Sequence, residues 1–214
     1  MLGASSTPGR DCPLCPRLQA FRDNLRQLHP DWFNAPVPSF GPLSARLLIV
    51  GLAPGMQGAN RTGRPFTGDY AGDLLYETLS RFGFARGAYE ARADDGLELI
   101  DARIANAVSC VPPENKPTGA EIMTCRRFLS AAIAEMPKLR AIVALGRIAH
   151  DSTVTALGAK RSGAPFGHGC KAEVNSLALF SSYHCSRYNT NTGVLTPDMF
   201  RAVFAAVRSY LDGV

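Results

Sequence analysis

The chain has 214 residues and a net charge of +5, from 23 lysines and arginines against 18 aspartates and glutamates. With 46% apolar and 19% charged residues it has the balance of a globular protein, which excludes a chain that is disordered throughout. No apolar run is long enough to cross a membrane, and the N-terminus lacks a secretory signal. We therefore expect a cytoplasmic protein with no membrane partner, folded as one domain over residues 1–214 with residues 1–11 loose.

The spacing of apolar residues predicts helices and strands that alternate along the chain. The predicted elements are a helix at 17–29, a strand at 47–50, a helix at 72–82, a strand at 104–108, a helix from 119 to about 136, a strand at 141–145, a helix after Gly146 to about 157, a strand at 176–181 and a helix from 197 to about 211. Four strands alternating with helices predict an α/β fold with a mostly parallel sheet.

Polar and glycine-rich segments follow the predicted strands. They are Gly51–Gly55, Asn106–Pro113, Gly146 and His184–Asn191. In sheets of this kind ligands bind beyond the carboxyl ends of the strands. The sequence therefore places any chemistry of the protein at that edge.

Four of the six cysteines form two groups, Cys12 with Cys15 and Cys110 with Cys125. Disulfides are rare in the cytoplasm, so clustered cysteines there favour metal or redox chemistry. Four thiolates can hold a tetrahedral zinc ion or a [4Fe–4S] cluster. The spacing does not choose between them, zinc is the more frequent, and four unrelated buried thiols are the plain alternative. Cys170 and Cys185 have no evident partner, and we expect neither to be a ligand.

Three loop segments combine small residues with polar side chains. Gly51-Leu52-Ala53-Pro54-Gly55 follows the first strand, Thr62-Gly63-Arg64-Pro65-Phe66-Thr67-Gly68-Asp69 precedes the next helix, and residues 184–193 read HCSRYNTNTG. With the early C-x2-C pair, and with Asn106 four residues before Cys110-Val111-Pro112-Pro113, this ordered set resembles the iron–sulfur uracil-DNA glycosylases of bacteria and archaea. The resemblance covers about residues 12–210.

The resemblance implies a three-layer α/β/α fold around a four-stranded, mostly parallel sheet. It also implies a structural [4Fe–4S] cluster on Cys12, Cys15, Cys110 and Cys125, which displaces zinc to the alternative. One branch of the family carries an acidic residue where this chain has Leu52, followed by Ala53. The chain resembles instead the branch called family five or type B, which acts on hypoxanthine as well as uracil.

The resemblance implies a DNA-repair enzyme that flips a deaminated base (uracil, with hypoxanthine or xanthine) out of DNA and hydrolyses its N-glycosidic bond. Double-stranded DNA is the expected partner, and the sequence leaves open whether single-stranded DNA is accepted. Phe66 would stack on the base, whose edge Asn106 would recognise. His184 would donate a hydrogen bond to the departing base. Asp69 would supply the carboxylate that orients water or balances the sugar's charge, and Asp73 is the alternative candidate for this role.

The backbone of Gly51, Ala53 and Gly55 would approach the substrate. Residues expected to contact DNA are Arg187, Tyr188, Asn189 and Asn191, with Arg61 and Arg64 adding positive charge. Each of these side chains has an ordinary structural alternative, such as a helix cap for Asp69. We expect a monomer in the cytoplasm, at the nucleoid of a prokaryote.

Two other functions fit parts of the sequence. A nucleic-acid-binding module with a metal-stapled fold and no catalysis is the main alternative. A Cys–His acyl transferase is disfavoured because His184 and Cys185 are adjacent, and neighbours on an extended chain point apart. Neither GxxxxGK[ST] nor GxGxxG occurs, which disfavours a P-loop or dinucleotide enzyme.

Overall fold

A computed structural model describes residues 6–213 of the chain. Its helices are α1 (Pro16–Leu28), α2 (Ala59–Thr62), α3 (Tyr70–Arg81), α4 (Gly119–Ala134), α5 (Arg147–Ala156), α6 (Arg187–Asn191) and α7 (Pro197–Asp212). Its strands are β1 (Leu47–Gly51), β2 (Ala85–Arg86), β3 (Glu98–Leu99), β4 (Ala102–Asn106), β5 (Ala141–Leu145), β6 (Lys171–Val174) and β7 (Leu177–Ser182).

The central sheet has the strand order β4-β1-β5-β7-β6. The four strands β4, β1, β5 and β7 are parallel, and β6 pairs antiparallel with β7 at one edge. The prediction of a mostly parallel α/β sheet is confirmed, and β6 adds a fifth strand to the four expected. β2 and β3 form a separate two-stranded sheet.

Helices cover both faces of the central sheet. On one face α3 and α7 pack against alternate strand residues such as Ile49, Ile104 and Val143. On the other face α4 and α5 pack against the intervening residues, among them Val50 and Ile142. All five residues of β1 and of β5 are buried, as expected for strands covered on both sides. The molecule therefore has the expected three layers.

Several element bounds differ from those predicted. β4 begins and ends two residues early, because the amides of Ala107 and Val108 already bond to Gly51 O and Leu52 O in the loop after β1. α3 begins at Tyr70 because the Asp69 side chain caps it, accepting from Gly72 N. The short helices α2 and α6 lie in segments expected to be loops.

The structure describes only part of the N-terminal segment that was expected to be loose. Residues 1–5 of the segment expected to be loose lie outside the described residues, where the prediction stays a prediction. Residues 6–11 lie against α1, where Arg26 donates to the carbonyl of Arg10 and to the carboxylate of Asp11. Across the described residues, every helix is too short or too polar to span a bilayer.

Candidate active site

A pocket of about 570 Å³ opens at the carboxyl edge of the parallel strands. Its wall comes from the loop after β1, the segment between α2 and α3 with the start of α3, the end of β4, the segment between β4 and α4, and the segment after β7 with the start of α6. The residues that line it are Leu52–Ala59, Phe66, Asp69–Ala71, Asn106, Asn115, His184, Ser186 and Arg187. Phe66, Asn106, Asp69 and His184, which are far apart in the sequence, are brought together here.

Phe66 forms one wall of the pocket and is 7% exposed. Its ring stacks on the imidazole of His184, with a centroid separation of 5.9 Å and an interplanar angle of 27°. Gly51 lies against both the Phe66 ring and the Asn106 side chain. A Cβ at position 51 would come within 2.7 Å of the phenyl ring and 2.5 Å of Asn106 Oδ1. Any larger residue at position 51 would displace both side chains, so the glycine sets their positions.

Asn106 is the last residue of β4 and reaches into the pocket from the strand end. Its Oδ1 is buried and accepts no hydrogen bond from the described residues. A buried amide oxygen without a partner is costly unless a ligand supplies the donor. The atom is therefore placed to accept a hydrogen bond from a molecule in the pocket.

His184 lies in the segment between β7 and α6, with its ring against Phe66. Burial lowers the pKa of His184 to about 4. The imidazole is therefore neutral near pH 7 and still carries one N–H that can donate. Asn189 fixes this segment, because its Nδ2 donates to the His184 carbonyl at 2.8 Å.

Asp69 is both a helix cap and part of the pocket wall, whereas the sequence presented capping and a functional role as alternatives. Its Oδ1 caps α3 by accepting from Gly72 N at 3.3 Å, and its side chain also lines the pocket. Burial raises the pKa of its carboxyl above the ordinary range, opposed by hydrogen bonds from the Gly72 and Ala71 amides. Asp73 is exposed and is not among the described residues lining the pocket, which leaves Asp69 as the carboxylate near Phe66 and His184.

Sequence reasoning missed Gly58 and Asn115. A Cβ on Gly58 would overlap Asp69 Oδ2 and lie 2.8 Å from its Cγ, so this glycine makes the space for the carboxylate. Asn115 lines the pocket from the segment between Cys110 and α4, with a φ of +57°. Asparagine tolerates the left-handed conformation, which is the only local signal for its position.

Arg187 lines the pocket from the first turn of α6, and Tyr188 follows it on the same helix. Both are exposed, Tyr188 by 74%, and Arg187 packs over the ring of Tyr70 at 5.3 Å. Asn191 is exposed on the same helix. Exposed cationic and aromatic side chains beside a pocket suit contact with phosphates and bases.

The expectation that Arg64 adds to a DNA-facing charge is wrong. Arg64 is 5% exposed, and its guanidinium makes two hydrogen bonds of 2.7 Å to the carboxylate of Asp95. Its charge is thus paired in the interior. Arg61, by contrast, is exposed.

The four grouped cysteines meet away from the pocket. Cys12, Cys15, Cys110 and Cys125 line one small cavity, together with apolar side chains and Arg22. All six thiols of the chain are free; Cys170 is exposed, and Cys185 is buried and donates to Ala71 O at 3.5 Å. The four thiols that the sequence groups as candidate cofactor ligands thus share one cavity.

The polar groups around this cavity are few. Arg22 is 2% exposed, and its guanidinium donates to Cys110 Sγ at 3.8 Å and to Cys12 O at 3.2 Å. Its Nε makes no hydrogen bond to any described residue. Within residues 6–213, no three His, Cys, Asp or Glu side chains are arranged to ligate a single metal ion.

Comparison with known proteins finds relatives whose names all point to one family. The sequence profile of the uracil DNA glycosylase superfamily matches residues 38–208. A "Type-5 uracil-DNA glycosylase" of Thermus thermophilus is 43% identical over 199 residues, which is 90% of either chain. The protein of that name from Pyrobaculum aerophilum is 39% identical over 197 residues, covering 90% of this chain and 86% of its own.

A second group of relatives is more distant. A "Type-4 uracil-DNA glycosylase" of Pyrobaculum aerophilum is 35% identical over 150 residues, covering 70% of this chain and 62% of its own. The type-5 similarity extends further along the chain, in agreement with Leu52 and Ala53 in the loop after β1.

Proposed function

Because the chain belongs to the uracil DNA glycosylase superfamily, we propose that it is a monofunctional DNA glycosylase, which removes uracil from DNA in base-excision repair. It would hydrolyse the N-glycosidic bond and leave an abasic site. The observation that carries the proposal is the pocket in which the Phe66 ring, the unpartnered Asn106 Oδ1, Asp69 and His184 face one space. A base stacked in a duplex cannot reach such a pocket, so the enzyme must extrude it first.

Phe66 and Asn106 supply recognition of the flipped base. The phenyl ring gives a stacking face that tolerates different bases. Asn106 Oδ1 accepts from the ring N–H of uracil, and its amide N–H group donates to the neighbouring carbonyl. Hypoxanthine and xanthine present the same N–H beside a carbonyl, so we extend the proposed substrate range to both bases.

His184 and Asp69 supply the chemistry. As the glycosidic bond breaks, negative charge gathers on the base and positive character on the sugar. Neutral His184 donates its N–H to the developing oxyanion, which such donors stabilise by about 3 kcal/mol. The Asp69 carboxylate faces the sugar, where it balances the positive character and orients the attacking water. Leu52 and Ala53 offer no polar side chain for that task.

The test is base release from duplexes that contain uracil, hypoxanthine or xanthine, with EDTA present. We expect release by the wild type and a loss of about 10²-fold or more in single-turnover rate for Asp69→Asn and His184→Ala. Asp73→Asn is the matched control and should keep the wild-type rate. If no base is released from any duplex, the chain is a non-catalytic nucleic-acid-binding module instead. If both variants release base at the wild-type rate, Asp69 and His184 do not supply the chemistry.

We also propose that Cys12, Cys15, Cys110 and Cys125 bind a [4Fe–4S] cluster with a structural role. The shared cavity supports this, as does Arg22, whose buried positive charge suits a set of thiolates. A tetrahedral zinc ion would need sulfurs about 3.8 Å apart, the spacing that bonds of about 2.3 Å impose. The described side chains do not converge on one such ion. We prefer the cluster because the family resemblance implies it, and zinc stays the alternative.

The cofactor proposal has a direct test. The purified protein should be brown and contain iron and sulfide, and Cys110→Ser should lose both along with thermal stability. Cys170→Ser, which changes an exposed thiol outside the cavity, should keep the colour. A colourless wild type that carries zinc would contradict the proposal.

DNA is the partner that the family implies, and we infer that the protein binds it as a monomer. The pocket is complete within one chain, which supports this inference. We place the protein in the cytoplasm at the nucleoid of a prokaryotic cell. Sedimentation of the free protein and of its complex with abasic DNA should give one copy per site; two copies per site would contradict the inference.

A further inference from the structure

We propose that Arg64 and Asp95 are positioning residues for Phe66, forming a buried ion pair that holds the stacking ring in the pocket. The inference rests on the proposed function, since it concerns how that function's base-stacking residue is held. Neither Arg64 nor Asp95 is among the described residues that line the pocket. The two are 31 residues apart, so no local sequence pattern predicts their contact. The contacts around residues 64–68 connect the pair to Phe66.

The carboxylate of Asp95 is fully engaged. Its side chain is 0% exposed, and each oxygen accepts one guanidinium bond of 2.7 Å from Arg64. Oδ1 also accepts from Leu97 N and Oδ2 from Glu90 N, both at 3.0 Å. The pair is thus bidentate and fixed to the backbone between β2 and β3, which is the geometry in which a buried ion pair is stiff.

The guanidinium of Arg64 extends the connection to the segment that carries Phe66. Its Nε donates to Thr67 Oγ1 at 2.7 Å. The rings of Phe40, Tyr76 and Tyr89 surround it at 5.3, 5.4 and 5.9 Å from their centroids. Breaking the pair would therefore leave a desolvated charge directly under this segment, a costly arrangement that favours a local shift.

The backbone on either side of Phe66 is held by hydroxyl groups. Tyr76 donates to Pro65 O at 2.6 Å, Tyr89 to Phe66 O at 3.1 Å and Thr62 to Thr67 O at 3.0 Å. Three successive carbonyls thus accept from side chains. The segment needs this support because Phe66 has a φ of +52°, which disfavours a residue with a side chain by about 1 kcal/mol or more.

The consequence for the pocket is that Phe66 cannot adjust freely. Its peptide is bonded to Tyr89, and Tyr76 and Tyr89 pack on Arg64. Its ring also lies against His184 and Gly51. The ion pair therefore acts on the base only through the placement of this ring.

A double-mutant cycle tests the proposal. Phe66→Ala should lower the single-turnover rate on uracil DNA about tenfold or more, the loss of one stacked base. Asp95→Asn should lower the rate in the same direction and have no further effect in the Phe66→Ala background. The Kd for abasic DNA, which has no base to stack, should be unchanged in all of them. Additive losses, or an Asp95→Asn rate equal to that of the wild type, would overturn the proposal.

Two further variants guard against a general loss of folding. Tyr89→Phe removes only the hydroxyl that bonds to Phe66 O, and it should also fail to slow the Phe66→Ala variant further. Arg86→Ala breaks the exposed ion pair with Glu98 between β2 and β3, and it should leave the rate unchanged. All rates are compared at a temperature where circular dichroism shows each variant folded.

A measurement without turnover separates this inference from the proposed function. The Phe66 ring should shift the NMR signals of the stacked His184 imidazole, and Phe66→Ala gives the reference position without that shift. Asp95→Asn should move the His184 signals toward the reference, and Arg86→Ala should not. Unmoved signals in Asp95→Asn contradict the positioning role even if the wild type releases no base, whereas absent base release alone contradicts the proposed function.

Discussion

At the scale of single residues, the environment of His184 decides what its imidazole can do. Burial lowers its pKa to about 4 from an ordinary value of 6.5. The folded protein therefore keeps the ring neutral at pH values where the unfolded chain binds a proton. The fold thus preserves a neutral donor in the pocket, at a cost in stability that grows as the pH falls below 6.5.

We predict that this cost is measurable. Because the folded pKa lies below the unfolded one, the wild type should lose about 2 kcal/mol of unfolding free energy between pH 7 and pH 5 through this group. His184→Gln has no such titration and should lose less by that amount. Urea denaturation at both pH values gives the comparison. Equal losses in the two proteins would show that His184 titrates normally in the fold.

Gly58 carries a second prediction at this scale. A methyl group at position 58 would overlap the Asp69 carboxylate, so Gly58→Ala should displace it and lower the single-turnover rate tenfold or more. Gly119→Ala is the matched control, because a Cβ there meets nothing within 4 Å. Its rate should stay at the wild-type value. A Gly58→Ala enzyme with full activity would mean that the carboxylate need not lie where it does.

The sequence indicated some of these residues and not others, for physical reasons. Phe66, Asn106, Asp69 and His184 all lie in segments next to strand ends or a helix start, where local patterns indicate function. The environment of Arg64 depends on Asp95, which reaches it only through the folded β2–β3 connection. Gly58 matters because of empty space, and no local pattern encodes the space that another segment will need.

At the scale of elements, the start of α4 joins three parts of the molecule. Thr118 and Glu121 form a reciprocal cap there, as their spacing predicts. Arg17 of α1 donates to the Glu121 carboxylate and to Lys116 O. The segment between Cys110 and α4 is thereby tied to α1 as well as to the pocket, which it reaches through Asn115.

Removing this cap should weaken the fold without touching the pocket. We predict that Thr118→Ala lowers the unfolding free energy by about 1 kcal/mol, because Glu121 N loses its acceptor at Thr118 Oγ1. Thr118→Ser keeps the hydroxyl and should retain most of the stability. Thermal denaturation of the three proteins measures the difference. If serine is as destabilising as alanine, the hydroxyl is not what caps the helix.

Element prediction succeeded where the apolar pattern was long and failed where it was short. β1 and β5 are continuous apolar runs buried on both faces, so their type was evident. β6 has four residues, of which Lys171 and Glu173 are exposed, and only its pairing with β7 makes it a strand. α6 has five residues, and Ser186, which caps it, was the one local signal of a helix.

At the scale of the whole molecule, a net charge of +5 is small, so binding to DNA depends on where the cations lie. Arg187 and Arg61 are exposed, Arg187 at the pocket rim, whereas Arg64 is neutralised inside. Neutralising a phosphate releases a counterion, which makes affinity fall with salt. The distribution of charge, more than its total, therefore predicts the response to salt.

We predict that Arg187→Ala reduces the slope of log affinity against log salt by about one for abasic DNA. Arg64→Met should leave this slope at the wild-type value, because the Arg64 charge does not face DNA. Fluorescence anisotropy over a series of salt concentrations gives both slopes. A wild-type affinity that hardly changes with salt would argue against phosphate contact at this rim.

One carboxylate links the stability of this protein to its proposed chemistry. The Asp69 side chain caps the start of α3 through Oδ1, and the same side chain lines the pocket. Asparagine caps helices as well as aspartate does, so a single codon change at this position removes a charge while keeping the helix start. If selection for base removal were lost, Asp69→Asn would therefore inactivate the enzyme with little loss of folding stability. Such variants would remain folded proteins that bind the damaged base, and they would shield the lesion instead of removing it.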